Sequence, residues 1–440
     1  MFKYCLLMVA QMTETDEILN YLNIKNVDEL FDDIPAKLKV SLDLGSPVDE
    51  FSLIKAIETI GKKNIQGNMN FLGNGIYDRF IPPLVDEIIG RNEFLTSYTP
   101  YQPEISQGIL HSLFEYQSII SDLTEMDVTN SSMYDGFTSL AEAVRMAYRI
   151  NGKNEVLIPE NIYKSQLSII QNYTAGLDLK FIRYNFGPDG MINMEDLKTK
   201  VTDKTSAIIV ANPNLFGLID ENAFHVSELK KDSILITYYD PMSLGLIMPP
   251  GEYGTDIAVA EGQQLGIHMN YGGPLLGLFS FRKEYVHRSP GRLIGLSKDS
   301  QGRNAFVMTL QAREQHIRRS KAMSNICSNQ ALLAVASLAY LSIMGSTGLK
   351  KIALITMNKS SKLKKALVSA GVNPVFNGIN FSDNLFYFDR PEILSKNNIS
   401  GGIKLSDLSE YNGYEKSSFF SVTEKTSDES IVQLAKILGD

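Results

Sequence analysis

Cysteine, basic charge and long apolar runs are all scarce in this chain of 440 residues. Its two cysteines, Cys5 and Cys327, are isolated, which excludes a disulfide framework and a cysteine metal site and is typical of a reducing cytoplasm. Lys and Arg total 42 against 50 Asp and Glu, so the net charge of −8 offers no basic excess to a nucleic acid or an anionic membrane. We therefore expect a cytoplasmic protein that binds no metal, nucleic acid or membrane.

The only apolar run near the N-terminus, 2–10, is shorter than a membrane span. Polar residues follow it at once, where a signal peptide would have a small-residue cleavage site. A signal peptide stays the less favoured alternative, and Met12 could be the natural first residue. Otherwise the chain is ordinary for a globular protein, with 44% hydrophobic and 21% charged residues, and its length suggests two or three domains.

The N-terminal part of the chain predicts helices. Apolar positions three and four apart at 15–22 and 27–31 indicate short helices, and Ser46 followed by proline and Asp49 predicts a further helix with a serine cap. We assign residues 1–66 to an N-terminal helical arm.

Short apolar strands then alternate with helices. Strands are predicted at 155–158, 179–182, 207–210, 234–237, 257–260 and 276–279, and helices at 107–125, 139–149, 163–173 and 194–200. This alternation predicts a mostly parallel sheet, and we assign residues 67–325, including an irregular Gly-, Pro- and Tyr-rich segment at 67–110, to a large α/β domain. An apolar helix at 329–344, a Lys-rich helix at 349–369 and later short strands predict a small C-terminal α/β domain over 326–440.

A large α/β domain followed by a small one is the layout of the pyridoxal-phosphate transferase fold, fold type I, although many α/β enzymes share it. That chemistry needs a helix N-terminus for the phosphate, a carboxylate for the pyridine nitrogen and a lysine for the imine. Asp135 and Gly136 precede a predicted helix and could hold the phosphate or simply cap the helix. Asp240 follows a predicted strand and could be the ring carboxylate or a turn residue before proline.

The lysine is missing from the place where this fold needs it. One strand beyond Asp240 that position holds Gln263 or Gln264, and no lysine occurs between Lys231 and Lys283. Lys283 itself reads as a solvated strand end. Because an amide is not a nucleophile and forms no imine, we predict that this chain does not hold the cofactor covalently.

Several improbable strings resemble the P-protein of the glycine cleavage system. They are GNGIYD at 73–78, YTPYQPEISQG at 98–108, MYDG at 133–136, NPN at 212–214, PPGEYG at 249–254, EGQ at 261–263, LQAREQHIRR at 310–319 and SNICSNQ at 324–330. In that family the enzyme is one long chain or two half-length chains. The length here resembles the N-terminal half, the alpha-type subunit 1, which lacks the lysine; Gln264 agrees with that resemblance.

The resemblance implies a reaction shared between two chains. A lysine-bearing subunit 2 would hold pyridoxal 5'-phosphate, glycine would lose its carboxylate, and the aminomethyl group would pass to the lipoyl arm of H-protein. This chain would lend hydroxyl, amide and carboxyl groups to a shared pocket, from Tyr98, Thr99, Tyr101, Gln102 and Glu104. The alternative is that this segment is a rigid interface loop. Tyr77 and Asp78 could also take part, although such turns often only pack.

Three interpretations stay open for a cluster of basic residues. The cluster consists of Arg313, His316, Arg318, Arg319 and Lys321. It could be a solvated helix face, an anion site, or a dock for an acidic surface of H-protein. Two rivals to the shared enzyme also stay open: a self-sufficient pyridoxal-phosphate aminotransferase or decarboxylase, and a catalytically silent scaffold subunit.

Overall fold

The computed structural model describes residues 14–40, 43–64, 69–411 and 413–439. The apolar run at 2–10 and the proposed start at Met12 lie outside the described residues. The chain divides into two compact units, 1–65 and 66–440. The predicted boundaries at 66 and 325 remain predictions.

The described part of the first unit contains helices joined by turns and irregular segments. Helix α1 covers 14–22, 3-10 helices lie at Val27–Phe31 and Ala36–Leu38, and α2 spans Glu50–Gly61. The predicted serine cap is wrong, because Asp49 caps α2 by accepting a hydrogen bond from the Ser52 N–H at 3.0 Å. An aspartate at this position satisfies one of the N–H groups that a helix start leaves unpaired.

A seven-stranded sheet forms the centre of the second unit. In chain order the first eight strands of the second unit are β1 (Met69–Asn70), β2 (Val128–Thr129), β3 (Glu155–Pro159), β4 (Lys180–Tyr184), β5 (Thr205–Asn212), β6 (Ile234–Tyr239), β7 (Ile257–Glu261) and β8 (Gly277–Phe281), and all but β1 belong to this sheet. The sheet order is β2-β8-β7-β6-β5-β3-β4. Strands β3 to β7 pair in parallel, whereas β8 pairs antiparallel with both β7 and β2. The mostly parallel sheet is confirmed, with antiparallel pairing at one edge.

Helices cover both faces of this sheet. They are α3 (Pro83–Ile89), α4 (Asn92–Leu95), α5 (Gln107–Thr124), α6 (Gly136–Asn151), α7 (Lys164–Thr174) and α8 (Met194–Lys200). On β7, Ala258 faces one core with Tyr116 of α5, whereas Val259 faces another with Val144 of α6. Strands β7 and β8 are buried at every position and are mostly apolar, because helices or loops cover both of their faces. Helices α3 and α4 fall within 67–110, where the sequence showed no clean periodicity.

A β-hairpin joins the sheet to the last third of the chain. Strands β9 (Leu293–Lys298) and β10 (Asn304–Thr309) pair antiparallel. Two glutamines of α5 hold the hairpin against this helix. The Gln117 amide bonds both the N–H and the C=O of Ile294, and the Gln107 amide does the same at Phe306, all at 2.9 Å.

After the short helix α9 (Gln315–Arg318), the long helix α10 (Ala331–Ser369) is broken at Gly345, where φ is 57° and ψ is −177°. The predicted division into two helices is therefore confirmed. By length and composition alone α10 could cross a membrane. However, side chains before the break, such as Ala334 and Tyr340, are buried in the core with α5. Core helices of soluble proteins share these properties.

The C-terminal part contains a small antiparallel sheet and three helices. The sheet order is β11 (Asp383–Tyr387), β14 (Ser417–Ser421) and β13 (Ile403–Lys404), while β12 (Ile399–Ser400) pairs with β1. The helices are α11 (Pro391–Lys396), α12 (Leu405–Leu408) and α13 (Asp428–Gly439). Leu363 and Leu367 of α10 pack with Phe386, Phe420 and Leu434. The second half of α10 thus shares a core with this sheet.

Candidate functional site

The first predicted position, Asp135 and Gly136, forms the N-terminus of α6. Asp135 caps the helix, because its side chain accepts hydrogen bonds from the Thr138 N–H at 2.8 Å and the Thr138 hydroxyl at 3.0 Å. The Gly136 N–H points at Glu261, at the end of β7, and donates to its Oε2 at 2.9 Å. A carboxylate of the chain itself therefore takes one N–H group of this helix N-terminus, where unpaired N–H groups favour an anion.

Glu261 is held by two further backbone groups. Its Oε1 accepts hydrogen bonds from the Gln263 N–H at 2.9 Å and the Leu276 N–H at 3.1 Å. Burial raises the pKa of Glu261 to about 7, although its three N–H partners favour the charged form. This buried carboxylate belongs to the site although no role was predicted for it.

Of the two glutamines predicted for the lysine position, Gln264 lines a cavity and Gln263 does not. The Gln264 amide donates to Asp240 Oδ2 at 2.9 Å and accepts from Arg79 Nε at 2.8 Å. Gln263 turns the other way and bonds the N–H and C=O of Tyr77 at 3.0 and 3.1 Å. Asp240 also accepts from the N–H groups of the turn that follows it, so it is both a turn residue and a pocket residue.

Tyr77, Asp240, Glu261 and Gln264 line a cavity of about 70 Å³ at the carboxyl ends of β5, β6 and β7. One water needs roughly 10–15 Å³, so only a few would fit. Three carboxylates, Asp240, Glu261 and Asp383, contribute to its wall. The Tyr77 hydroxyl donates to Asp383 at 2.6 Å, and burial raises the pKa of both groups. The cavity is small and acidic.

The residues of this cavity do not fit pyridoxal phosphate. The Gly136 N–H of the phosphate position is engaged with Glu261, the carboxylate of Asp240 is engaged with Gln264, and the cavity wall has no amine that could form an imine.

The predicted pocket segment, Tyr98–Glu104, lies elsewhere, against the hairpin. Arg292, directly before β9, donates from Nη2 to the Tyr101 hydroxyl at 3.0 Å and from Nη1 to the Thr99 hydroxyl at 3.3 Å. The Tyr98 hydroxyl is 3.0 Å from the Ser328 hydroxyl, and Tyr98 is 78% exposed. Gln102 and Glu104 are exposed, and no side-chain partner is recorded for either among the described residues. The structure brings part of the predicted set together on one guanidinium.

Of the other candidates, Tyr77 lines the cavity, whereas Asp78 and Lys283 do not. Asp78 pairs with Lys425 at 2.5 Å, and Tyr77 is buried against Asp383. Lys283 is exposed just after β8, at the start of a short 3-10 helix. Lys283 is not among the residues that line the cavity.

The described side chains of the basic cluster are exposed. His316 is 3.6 Å from Glu314 and packs edge-on against the Tyr101 ring, with ring centroids 5.7 Å apart. Arg318 Nε donates to the backbone carbonyl of Ala312, in the preceding 3-10 helix, at 3.0 Å. The solvated face, the anion site and the dock for H-protein all stay predictions.

Sequence reasoning missed four residues that organise these two places: Glu261, Arg79, Arg292 and Asp383. For Glu261 a signal existed, because groups at the carboxyl ends of parallel strands commonly line the site of an α/β fold. Arg79 and Arg292 carry no such local signal. Their partners are distant in sequence, as in the contact of Arg79 with Glu424.

Comparison with known proteins decides the family. The family described as glycine cleavage system P-protein matches residues 7–438. The chain belongs to this family. The protein named "Probable glycine dehydrogenase (decarboxylating) subunit 1" of Thermoplasma acidophilum is 56% identical over 430 residues, covering 97% of this chain and 99% of the relative. The protein of the same name from Carboxydothermus hydrogenoformans is 41% identical over 97% of both chains.

Solved structures agree with the P-protein assignment. The crystal structure of glycine decarboxylase (P-protein) of the glycine cleavage system in inhibitor-bound form has a TM-score of 0.90 at 32% identity, covering 97% of this chain and 98% of that one. A sphingosine-1-phosphate lyase of Burkholderia pseudomallei, at 12% identity and a TM-score of 0.64, shows the fold alone. The expected fold type I and the expected subunit of glycine dehydrogenase (decarboxylating) are confirmed.

Proposed function

We infer that this chain is the lysine-free subunit of a two-subunit glycine decarboxylase. The single observation that carries this is Gln264, whose amide takes the place of the imine-forming amine and bonds Asp240 at 2.9 Å. A lysine-bearing second subunit would hold pyridoxal phosphate, which supplies the electron sink for loss of the glycine carboxylate. The aminomethyl group would pass to the lipoyl arm of H-protein.

The contribution of this chain would come from the segment Tyr98–Glu104. Tyr98 and Tyr101 are 78% and 43% exposed, so a second surface can reach both rings. Arg292 holds Tyr101 and Thr99 from beneath, which restricts the loop before any partner binds. Phenol hydroxyls can hold the glycine carboxylate, and the exposed carboxylate of Glu104 can hold a proton or orient a reacting group.

The proposal is tested by reconstitution. The full chain and a lysine-bearing partner are purified separately and together, and glycine-dependent CO2 release is measured with lipoylated H-protein. We expect each chain alone to show less than about 1% of the activity of the mixture, because neither carries a complete site. Decarboxylation of glycine by this chain alone would refute the proposal.

Substitutions in the complex separate a shared pocket from a silent scaffold. We expect Tyr98→Phe and Glu104→Gln each to lower kcat about tenfold or more, since each removes one polar group from the pocket. Tyr387→Phe and Glu392→Gln are matched controls on exposed positions of β11 and α11. Unchanged turnover in both pocket variants, with intact assembly by size-exclusion chromatography, would support the scaffold.

A chemical experiment addresses the self-sufficient enzyme. The isolated chain is incubated with pyridoxal phosphate and treated with borohydride, which reduces an imine to a stable adduct. We expect no lysine adduct by mass spectrometry at stoichiometric yield. A specific adduct on one lysine would favour the rival.

A further inference from the structure

A buried carboxylate of the chain itself occupies the first N–H group of α6. Glu261 is 7% exposed and accepts three backbone hydrogen bonds between 2.9 and 3.1 Å, from Gly136, Gln263 and Leu276. A phosphate group bound at a helix N-terminus would use the same kind of donor. The Glu261 carboxylate thus occupies, at Gly136, a donor that an external anion at this helix N-terminus would use.

The backbone packs closely around the Gly136 N–H that Glu261 accepts. A Cβ added to Gly136 would lie 2.7 Å from the Glu261 nitrogen and 2.8 Å from the Tyr238 hydroxyl. A Cβ added to Gly277 would lie 2.4 Å from the Ser139 hydroxyl and 2.5 Å from the Asp135 carbonyl. The start of α6 therefore packs directly on β7 and β8, and a phosphate could bind the Gly136 N–H only by displacing the Glu261 carboxylate.

The next two cofactor positions are also engaged. Gln264 bridges Asp240 and Arg79, and Asp240 further accepts hydrogen bonds from the N–H groups of Met242 at 2.8 Å and Ser243 at 3.2 Å. A lysine at position 264 would place its ammonium beside the Arg79 guanidinium, which is 1% exposed. Two buried cations in contact repel each other, so restoring the lysine alone would not restore the site.

We propose that this chain excludes pyridoxal phosphate from its own cofactor site by filling that site with its own groups, Glu261 in the phosphate position and Gln264 between Asp240 and Arg79. The inference deepens the proposed function, on which it rests for placing the cofactor in the partner. Non-covalent binding of pyridoxal phosphate is then excluded as well as formation of the imine. The groups of this site then stabilise the fold of the chain, and each pair of subunits holds one cofactor.

The first test uses the isolated full-length chain and needs no variant. Binding of pyridoxal phosphate is measured by equilibrium dialysis with absorbance detection, with and without inorganic phosphate as competitor. We expect no saturable binding at millimolar pyridoxal phosphate. Stoichiometric binding that phosphate competes away would overturn the inference, yet it would leave the reconstituted decarboxylation, and with it the proposed function, untouched.

The second test asks whether Glu261 is the cause. Glu261→Ala opens the niche, whereas Glu261→Gln removes the charge but keeps it filled. We expect inorganic phosphate to raise the melting temperature of Glu261→Ala, and its affinity for pyridoxal phosphate to exceed that of the wild type by about tenfold or more. The wild type and Glu261→Gln should show neither effect.

A second variant replaces Glu261→Ala if that variant does not fold. If Glu261→Ala does not fold, Glu261→Ser is purified in phosphate buffer and its stability is followed as phosphate is removed. A loss of stability on removal, absent in the wild type, supports the inference. If neither open variant responds to phosphate although one of them is folded, Glu261 does not occupy a latent anion site and the inference fails.

Discussion

At the scale of single residues, Arg292 connects the predicted pocket segment to the rest of the fold. It is 6% exposed, and its guanidinium reaches the hydroxyls of Tyr101 and Thr99, Asn329 Oδ1 at 3.4 Å and Glu314 Oε2 at 3.5 Å. A planar guanidinium can serve several acceptors in fixed directions, which an ammonium cannot. Arg292 is therefore a positioning residue that acts through Tyr101 and Thr99.

We expect Arg292→Lys to lower kcat of the complex by about tenfold to a hundredfold with little change in KM for glycine, because misplacement of a positioned group by about 1 Å costs that much. The measurement is steady-state CO2 release beside the melting temperature of the complex. Arg303→Lys, at an exposed arginine of the same hairpin, is the matched control. A fall in melting temperature with unchanged kcat per folded enzyme would assign Arg292 to stability alone.

At the scale of elements, the sequence predicted the parallel strands and their helices well and the hairpin not at all. Strands such as β7 are buried on both faces and therefore read as short apolar runs. The hairpin strand β9 is buried only in its first half, and its ladder depends on β10 and on amides from α5. Which residues of such a strand are buried depends on partners that are distant in the sequence, and these cannot be recognised from a short stretch of sequence.

The break in α10 could be predicted because a glycine separates an apolar stretch from a Lys-rich one. Gly345 has φ of 57° and ψ of −177°, a region that is accessible almost only to glycine. No atom lies within 4 Å of a Cβ built there, so a substitution would meet no steric clash. The cost of an added side chain is then purely conformational.

We expect Gly345→Ala to lower the free energy of unfolding by about 1–3 kcal/mol, through backbone strain alone. Urea denaturation of the full chain measures it. Gly108→Ala is the control, because Gly108 lies in the first turns of α5, has open space around its Cβ, and should gain up to about 1 kcal/mol from helix propensity. Equal effects of the two substitutions would show that the break in α10 imposes no strain.

At the scale of the whole second unit, the lysine-free site joins segments that are far apart in the sequence. Arg79 bonds Gln264 after β7, Thr356 of α10 at 2.9 Å and Glu424 after β14 at 2.7 Å. Sequence reasoning located Gln264 through the chemistry of the missing amine. It could not find Arg79, because the role of this residue exists only once residues more than 100 positions apart meet.

The contribution of the Arg79–Glu424 ion pair to the free energy of unfolding can be measured. Its side chains are 1% and 11% exposed, so removing one partner leaves a buried charge without compensation. We expect Arg79→Met to cost about 3–5 kcal/mol of unfolding free energy. Glu424→Gln should also destabilise the chain, and the double variant should lose at least about 1 kcal/mol less than the sum of the two.

The neighbouring pair Asp78–Lys425 provides the control for this cycle. It connects the same two chain segments, but its side chains are 36% and 44% exposed, so solvent already screens the charges. Asp78→Asn should therefore cost less than about 1 kcal/mol. Additive effects of Arg79→Met and Glu424→Gln would contradict a direct interaction between them. A cost of Asp78→Asn equal to that of Arg79→Met would mean that the two segments are held by contact in general, and not by the buried charges that surround Gln264.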